Sequence, residues 1–287
     1  MKELNFLDNL VGVFGHPVAE NPGVVIQEAA FEALGLKRWR FLTIDVDPDK
    51  LQDAIAGLRA MKMRGINCTL PHKINVLPLL DEISPAAQLI GAVNMIVNDN
   101  NRLFGENTDG KGFMESLREA GEDPIGKKVV ILGAGGASRA ISIEMALAGA
   151  SQITIVNIPS DRALAYALVD TLTKHTGVEA KYVPWESEYI IPSETDILIN
   201  ATPIGLYPNI DEKPMMDYDS MHGDLFVQDV IPNPSFTPFL AEAEKRNIRW
   251  NSGMGMLINQ AAINIKMWTG RNPDKAVMTE AYRTIIG

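Results

Sequence analysis

The chain has 287 residues, 46% hydrophobic and 22% charged, a balance that suits one large globular domain or two ordinary ones. Its formal net charge of −10 argues against a nucleic-acid partner, whose phosphates call for a basic surface. No apolar run reaches bilayer-spanning length, and the start is too acidic and broken for a secretory signal. Cys68 is the single cysteine, which rules out an internal disulfide and fits a reducing cytoplasm.

Strand and helix patterns alternate along the chain. The apolar run Asn9–Phe14 reads as a strand, Gly15–Val25 as a turn and Ile26–Leu34 as a helix. Trp39–Ile44 is a strand, and Pro48–Met63 is a helix with Leu51, Ile55 and Leu58 on one face. Gly65–Leu70 is a strand ended by Pro71, and Ala92–Val97 with Arg102–Gly105 flanks a hairpin turn at Asn98–Asn101. A helix follows at Gly112–Ala120, then Lys128–Leu132, the strongest parallel-strand signal in the chain. Further strands are expected at Gln152–Val156, Asp196–Ile199 and Leu225–Val230, with helices between them, and terminal helices at Met256–Trp268 and Asp274–Ile286. This alternation predicts an α/β fold with parallel sheet and helices on both faces, in two units.

The stretch Val129–Ala140, VVILGAGGASRA, sets Gly133, Gly135 and Ser138 between a strand and a helix. The first glycine permits the tight turn, the second lets a pyrophosphate approach the backbone, and the small third residue lets helix and strand pack closely. The opening helix then offers its N–H groups to phosphate. A ribose selector is expected at the end of the next strand, where Asn157 is followed slightly further on by Asp161 and Arg162. The choice between NAD and NADP stays open on these residues alone.

Three other fragments are unusually polar for strand ends. GINCTLPHK delivers Asn67, Thr69 and Lys73, GAVNMI delivers Asn94, and GENTDGKG delivers Asn107, Thr108 and Asp109. Alternation places Asn67 and Thr69 on one strand face and Cys68 on the other, as an inert buried thiol. The histidines His16, His72, His175 and His222 show no zinc spacing with this cysteine, so no metal is expected. His16 and His72 read as hydrogen-bonded structural residues, and Trp250 and Trp268 as packing residues.

Taken in register, Asn67–Lys73, Gly91–Asn94, Asn107–Gly110, Gly133–Ala137, Asn200–Thr202, Gly205 and Gly253–Ala262 make the chain resemble the shikimate dehydrogenases and their quinate/shikimate relatives. The resemblance implies an N-terminal α/β substrate domain, residues 1–109 with 255–287, and a Rossmann-type doubly wound dinucleotide-binding domain, residues 110–254, with a cleft between them. It implies Lys73 and Asp109 as the catalytic pair and Asn21, Asn67, Thr69, Asn94, Thr108 and Gln260 as substrate contacts. The nucleotide, NAD or NADP, falls to Gly133, Ala134, Gly135, Gly136, Ala137, Asn157, Asp161, Arg162, Ala201, Thr202, Pro203, Gly205 and Gly253. The expected partner is a small-molecule ring polyol. No membrane is involved, and a homodimer is admitted but not specified.

Three departures stand out. Where the family carries a serine-x-serine pair that holds the substrate carboxylate, this chain has Asn21 and Gly23 around Pro22. Pro232 stands where a tyrosine is usual, and Ile158-Pro159 replaces an Arg-Thr after the asparagine, which favours NAD over NADP. Besides a shikimate- or quinate-type dehydrogenase, two readings stay open: a dehydrogenase for another cyclitol or an amino or amide derivative, and a non-catalytic nucleotide-binding regulator.

Overall fold

A computed structural model describes residues 5–286. The chain packs as two units, one running to Thr108 and resuming at Ala261, the other Asp109–Gln260.

In the first unit, strand β1 (Asn9–Gly15) leads into helix α1 (Gly23–Ala33). Then come β2 (Trp39–Asp45), α2 (Leu51–Ala60), β3 (Gly65–Cys68) and the short α3 (His72–Asn75). Next are β4 (Glu82–Ile83), α4 (Pro85–Ile90), β5 (Met95–Asp99) and β6 (Arg102–Glu106). The sheet order is β2-β1-β3-β5-β6-β4. β1 runs parallel to β2 and β3, setting Val13 opposite Asn67 and Phe14 opposite Cys68. β5 is antiparallel to both β3 and β6, so this sheet is mixed rather than parallel. The cause is the short β5–β6 connection, which can join only antiparallel strands. Its tip residues Asn100 and Asn101 adopt φ of 50° and 74°, the left-handed region that asparagine tolerates in tight hairpins.

The helix expected from Pro48 is divided: Pro48–Lys50 forms one 3-10 turn before α2, which buries Leu51, Ile55 and Leu58 as their spacing predicts. Those residues meet Phe14, Ile66, Ile96 and Leu103 in the core of this unit. Helix α4, absent from the sequence reading, is short but fully capped. The Ser84 hydroxyl accepts from the Ala87 N–H, Pro85 opens the first turn and Gly91 closes the last.

The second unit follows with α5 (Thr108–Glu119), β7 (Lys128–Leu132), α6 (Gly136–Leu147), β8 (Gln152–Asn157), α7 (Arg162–Thr176), β9 (Glu179–Pro184) and β10 (Tyr189–Ile190). β11 (Ile197–Asn200), β12 (Met216–Asp217), β13 (Phe226–Asp229), α8 (Pro238–Lys245) and β14 (Arg249–Asn251) complete it. α9 (Gly253–Thr269) and α10 (Lys275–Ile286) then carry the chain back into the first unit. β14-β13-β11-β7-β8-β9 is parallel throughout, and β10 and β12 form a separate ribbon. The central strands are largely apolar, as strands covered on both faces tend to be: Ile131, Ile153, Ile155 and Leu198 are all fully buried. Strand order reverses between β7 and β11, the topological switch point where such sheets bind their ligands. The unforeseen β9 is an edge strand with exposed Glu179 and half-buried Tyr182, too polar for an apolar-run criterion to find.

Candidate active site

The polar residues of the first unit gather at the ends of its central strands. Asn67, half-buried near the end of β3, donates its Nδ2 to the Asn94 carbonyl at 3.1 Å, and the Cys68 N–H reaches the same oxygen at 2.9 Å. Thr69 is tied to β1 by its N–H to the Phe14 carbonyl at 2.9 Å. Asn94 is a hub: its Oδ1 accepts from the Thr108 N–H at 2.7 Å and lies 3.2 Å from the Thr108 hydroxyl. That hydroxyl is closer, at 2.8 Å, to Oδ1 of Asn264. Thr108 is fully buried, so here it locks Asn94 and opens α5. Asn107 donates its Nδ2 to the Ala92 carbonyl at 3.1 Å. Lys73 is half-buried in α3, whose position is fixed by the Val93 N–H donating to the Lys73 carbonyl at 2.8 Å. Burial pushes the Cys68 thiol up to about 12, which makes it the inert group that alternation predicted.

The turn before α1 has its own network. Asn21 Oδ1 accepts from the Gly23 N–H at 2.9 Å. His16 is exposed, its Nδ1 2.7 Å from Asp45 Oδ1 and 3.6 Å from Asp47 Oδ1. The hydrogen bond to Asp45, reinforced by both carboxylate charges, holds the imidazole above its usual pKa against partial desolvation. His72 is a buried structural residue, its Nε2 2.7 Å from the Val46 carbonyl.

In the second unit the glycine loop leaves β7 at Gly133, whose φ of 96° only glycine adopts easily. Its N–H donates to the Val156 carbonyl at 2.7 Å. A side chain here would also press on the Ala201 carbonyl, 3.0 Å from a Cβ. By contrast, a Cβ at Gly135 or Gly136 meets nothing within 4 Å. Open space over exposed glycine N–H groups at the start of α6 is what a dinucleotide phosphate requires. Ser138 is fully buried beneath the loop, in keeping with its role as the small packing residue.

The neighbouring loop after β11 is held by a buried polar cluster. Asn200 Oδ1 accepts from the Thr202 hydroxyl at 2.6 Å and its N–H at 3.1 Å, while Asn200 Nδ2 reaches Asp229 Oδ1 at 3.2 Å. Asp229 also accepts from the Thr237 hydroxyl at 2.6 Å and the Ile231 N–H at 3.1 Å. Burial outweighs these donors and raises its carboxyl to about 6. Gly205 turns the loop at φ 96°, and Gly253 lies so close to β13's exit that a Cβ would sit 2.2 Å from the Val230 carbonyl carbon. At the end of β8, Asn157 donates its Nδ2 to the Asp161 carbonyl at 3.1 Å. Asp161 and Arg162 are exposed. Arg162 lines a shallow depression of about 310 Å³ with Pro159, Tyr166, Tyr182 and Glu186.

Asp109 and Gln260, both half-buried, belong to the second unit, on α5 and α9. A Cβ on Gly112 would stand 2.6 Å from the Gln260 N, which shows how closely α5 and α9 pack. The sequence reading missed Asp229 with Thr237, Glu106 with Ser84, and His16 with Asp45. Ser84 donates to Glu106 Oε1 at 2.5 Å. His16 was read as hydrogen-bonded but without its partner, and Asp229 left a trace as an acid at the end of a buried strand. Among the described residues no cluster of three or more His, Cys, Asp or Glu can hold a metal ion, and no helix is long and apolar enough to cross a membrane.

Residues 13–96 match the shikimate dehydrogenase substrate binding domain, and residues 253–281 the shikimate 5'-dehydrogenase C-terminal domain. Over 276 residues the chain is 43% identical to the shikimate dehydrogenase (NADP(+)) of Methanopyrus kandleri, covering 95% of this chain and 94% of that one. The chain belongs to the shikimate dehydrogenase family. A solved 5-ketofructose reductase of Gluconobacter sp. strain CHM43 is similar at 44% identity and a TM-score of 0.93, over 98% of this chain and 100% of that one. The shikimate 5-dehydrogenase of Listeria monocytogenes, solved with shikimate and NAD, gives 34% identity and a TM-score of 0.90, over 98% and 99% of the two chains. The expected α/β class and family are thereby borne out.

Proposed function

We propose that the protein is an NAD(P)-dependent dehydrogenase of the cytoplasm that interconverts a ring alcohol and its ketone, on a polyhydroxylated substrate of the shikimate/dehydroshikimate or quinate/dehydroquinate type. Residues 1–109 with 255–287 serve the substrate and 110–254 the nucleotide. The observation that carries this reading is the presence, in one chain of this family, of two complementary parts. One is the open glycine cradle at the β7–β11 switch point; the other is the polar strand-end cluster of Asn67, Thr69 and Asn94.

A bound nicotinamide nucleotide supplies the hydride acceptor or donor. Gly133–Ala137 would hold its pyrophosphate, Asn157 and Arg162 its adenosine end, and Ala201–Gly205 with Gly253 its nicotinamide side. Lys73 would take the hydroxyl proton on its Nζ in oxidation and return it to the carbonyl oxygen in reduction. Asp109 orients the lysine and offsets its charge. Asn67, Thr69, Asn94 and Gln260 fix the ring hydroxyls, with Thr108 behind Asn94.

The test follows nicotinamide absorbance with NAD and NADP, each offered shikimate and quinate, for the wild type and Lys73→Ala. The variant loses about 10²–10⁴-fold in turnover while nucleotide binding survives; near-normal turnover would sink the assignment. A second reading, a keto-sugar reductase acting on 5-ketofructose or a similar ketose, is favoured by two observations. The turn at Asn21–Gly23 has no hydroxyl side chain, and a 5-ketofructose reductase is 44% identical to this chain. That ketose belongs in the same assay.

A further inference from the structure

We propose that the turn Gly15–Gly23 receives an uncharged, hydroxyl-bearing end of the substrate and disfavours a carboxylate there, so that this chain's own substrate is a neutral polyhydroxy ketone. The proposal rests on the dehydrogenase reading in its second, keto-sugar form rather than its shikimate- or quinate-type form, and names what would keep a carboxylate out of the same site.

A carboxylate taken out of water needs a cation or several converging N–H or O–H donors. Several backbone donors at the end of this turn are already used. The Asn21 N–H donates to the Val18 carbonyl at 3.0 Å, and the Gly23 N–H to Asn21 Oδ1 at 2.9 Å. The Val25 and Ile26 N–H groups both donate to the Pro22 carbonyl, at 3.1 and 3.4 Å, and Pro22 itself has no N–H. At the start of α1, which in other helices draws anions, the N–H groups of Gly23, Val25 and Ile26 are thus taken within the turn itself.

Charge points the same way. No lysine or arginine stands between Gly15 and Leu36. Asp45 lies opposite Gly15 in the β1–β2 register, and the Val46 N–H donates to the Gly15 carbonyl at 2.9 Å. Exposed Glu20, Asp45 and Asp47 therefore outnumber His16, the one ionisable base of the turn, whose Nδ1 faces both aspartates. While Asn21 stands, a Cβ at position 23 would lie 2.8 Å from Asn21 Oδ1 and 3.3 Å from the Phe41 ring, so a hydroxyl side chain enters there only with position 21 changed as well. Carboxylates beside an asparagine amide suit hydroxyl groups, which donate as well as accept. An ionised carboxylate only accepts.

The experiment compares kcat/KM in the direction of reduction, with NADPH and with NADH, for 3-dehydroshikimate, its primary carboxamide and the keto-sugar of the second reading. Acid and amide share shape and differ in charge. Wild type is expected to favour the amide over the acid by about tenfold or more, the scale of one charge-assisted hydrogen bond, and to reduce the keto-sugar best. In Asn21→Ser/Gly23→Ser the acid gains about tenfold relative to the amide, through a lower KM. A wild type that prefers the acid leaves the dehydrogenase reading standing and overturns this inference, whether or not the double variant folds. A folded double variant with an unchanged acid-to-amide ratio overturns it too. If no ketone is reduced with either nucleotide, the dehydrogenase reading itself fails and takes this inference with it.

Discussion

Asp229 offers a quantitative test of how the nucleotide-side loops are held. Its carboxyl is fully buried at the end of β13 and raised from 3.8 to about 6, chiefly by burial, in spite of donors from Thr237, Ile231, Val230 and Asn200. A raised carboxyl means that the folded state binds the proton more tightly than the unfolded chain does. Its stabilising contribution is therefore complete below pH 3.8 and is lost as pH rises through about 6. A shift of roughly two units corresponds to about 3 kcal/mol, at about 1.4 kcal/mol per unit. Asp229→Asn keeps the shape and removes the titration. Urea unfolding, followed by fluorescence of the four tryptophans at steps from about pH 4 to pH 7.5, should show the wild type losing about 2.5 kcal/mol more than the variant across that range. The steepest loss lies between the two pKa values. Parallel stability curves for the two proteins would refute the reasoning, because they would mean that Asp229 ionises in the fold as freely as in the unfolded chain.

Two further outcomes follow from the same geometry. Arg162 is the cation and Glu186 the anion among the residues lining the depression beside β8; Arg162→Ala should raise KM for NADPH about tenfold, the scale of one charged hydrogen bond, with little change for NADH. Equal effects on the two nucleotides would remove Arg162 from any 2'-phosphate contact. Trp268 is 3% exposed and donates its Nε1–H to the Ile96 carbonyl at 3.0 Å. Trp268→Phe should therefore lower the unfolding free energy by about 1–3 kcal/mol, and a shift within about 0.5 kcal/mol in urea denaturation would mean that the indole is only a space-filler.

What could be read from the sequence depended on how local its physical cause was. The glycine cradle was legible because one short stretch, Val129–Ala140, carries the strand, the turn and the helix start together. Leu51, Ile55 and Leu58 were legible because helical spacing alone decides which face is buried, and the Asn98–Asn101 hairpin because asparagine tolerates the left-handed backbone found at Asn100 and Asn101. The Asn94 hub was not. Its partners Asn67 and Thr108, and Asn264 beyond Thr108, come from distant parts of the chain, and no periodicity links them. Asp229 needed still more: its effect depends on Asn200, Ile231 and Thr237 converging on one buried carboxyl. The opening turn lies between these cases. Its lack of basic and hydroxyl side chains is visible in the sequence, but that absence alone is compatible with an anion held by backbone N–H groups at the start of α1. The structure narrows this route, because Asn21 and Pro22 occupy the Gly23, Val25 and Ile26 N–H groups, and Asp45 and Asp47, at and just past the end of β2, face His16. Side-chain identity raised the question of what this turn binds. The accounting of its backbone donors carries the answer toward a neutral ligand.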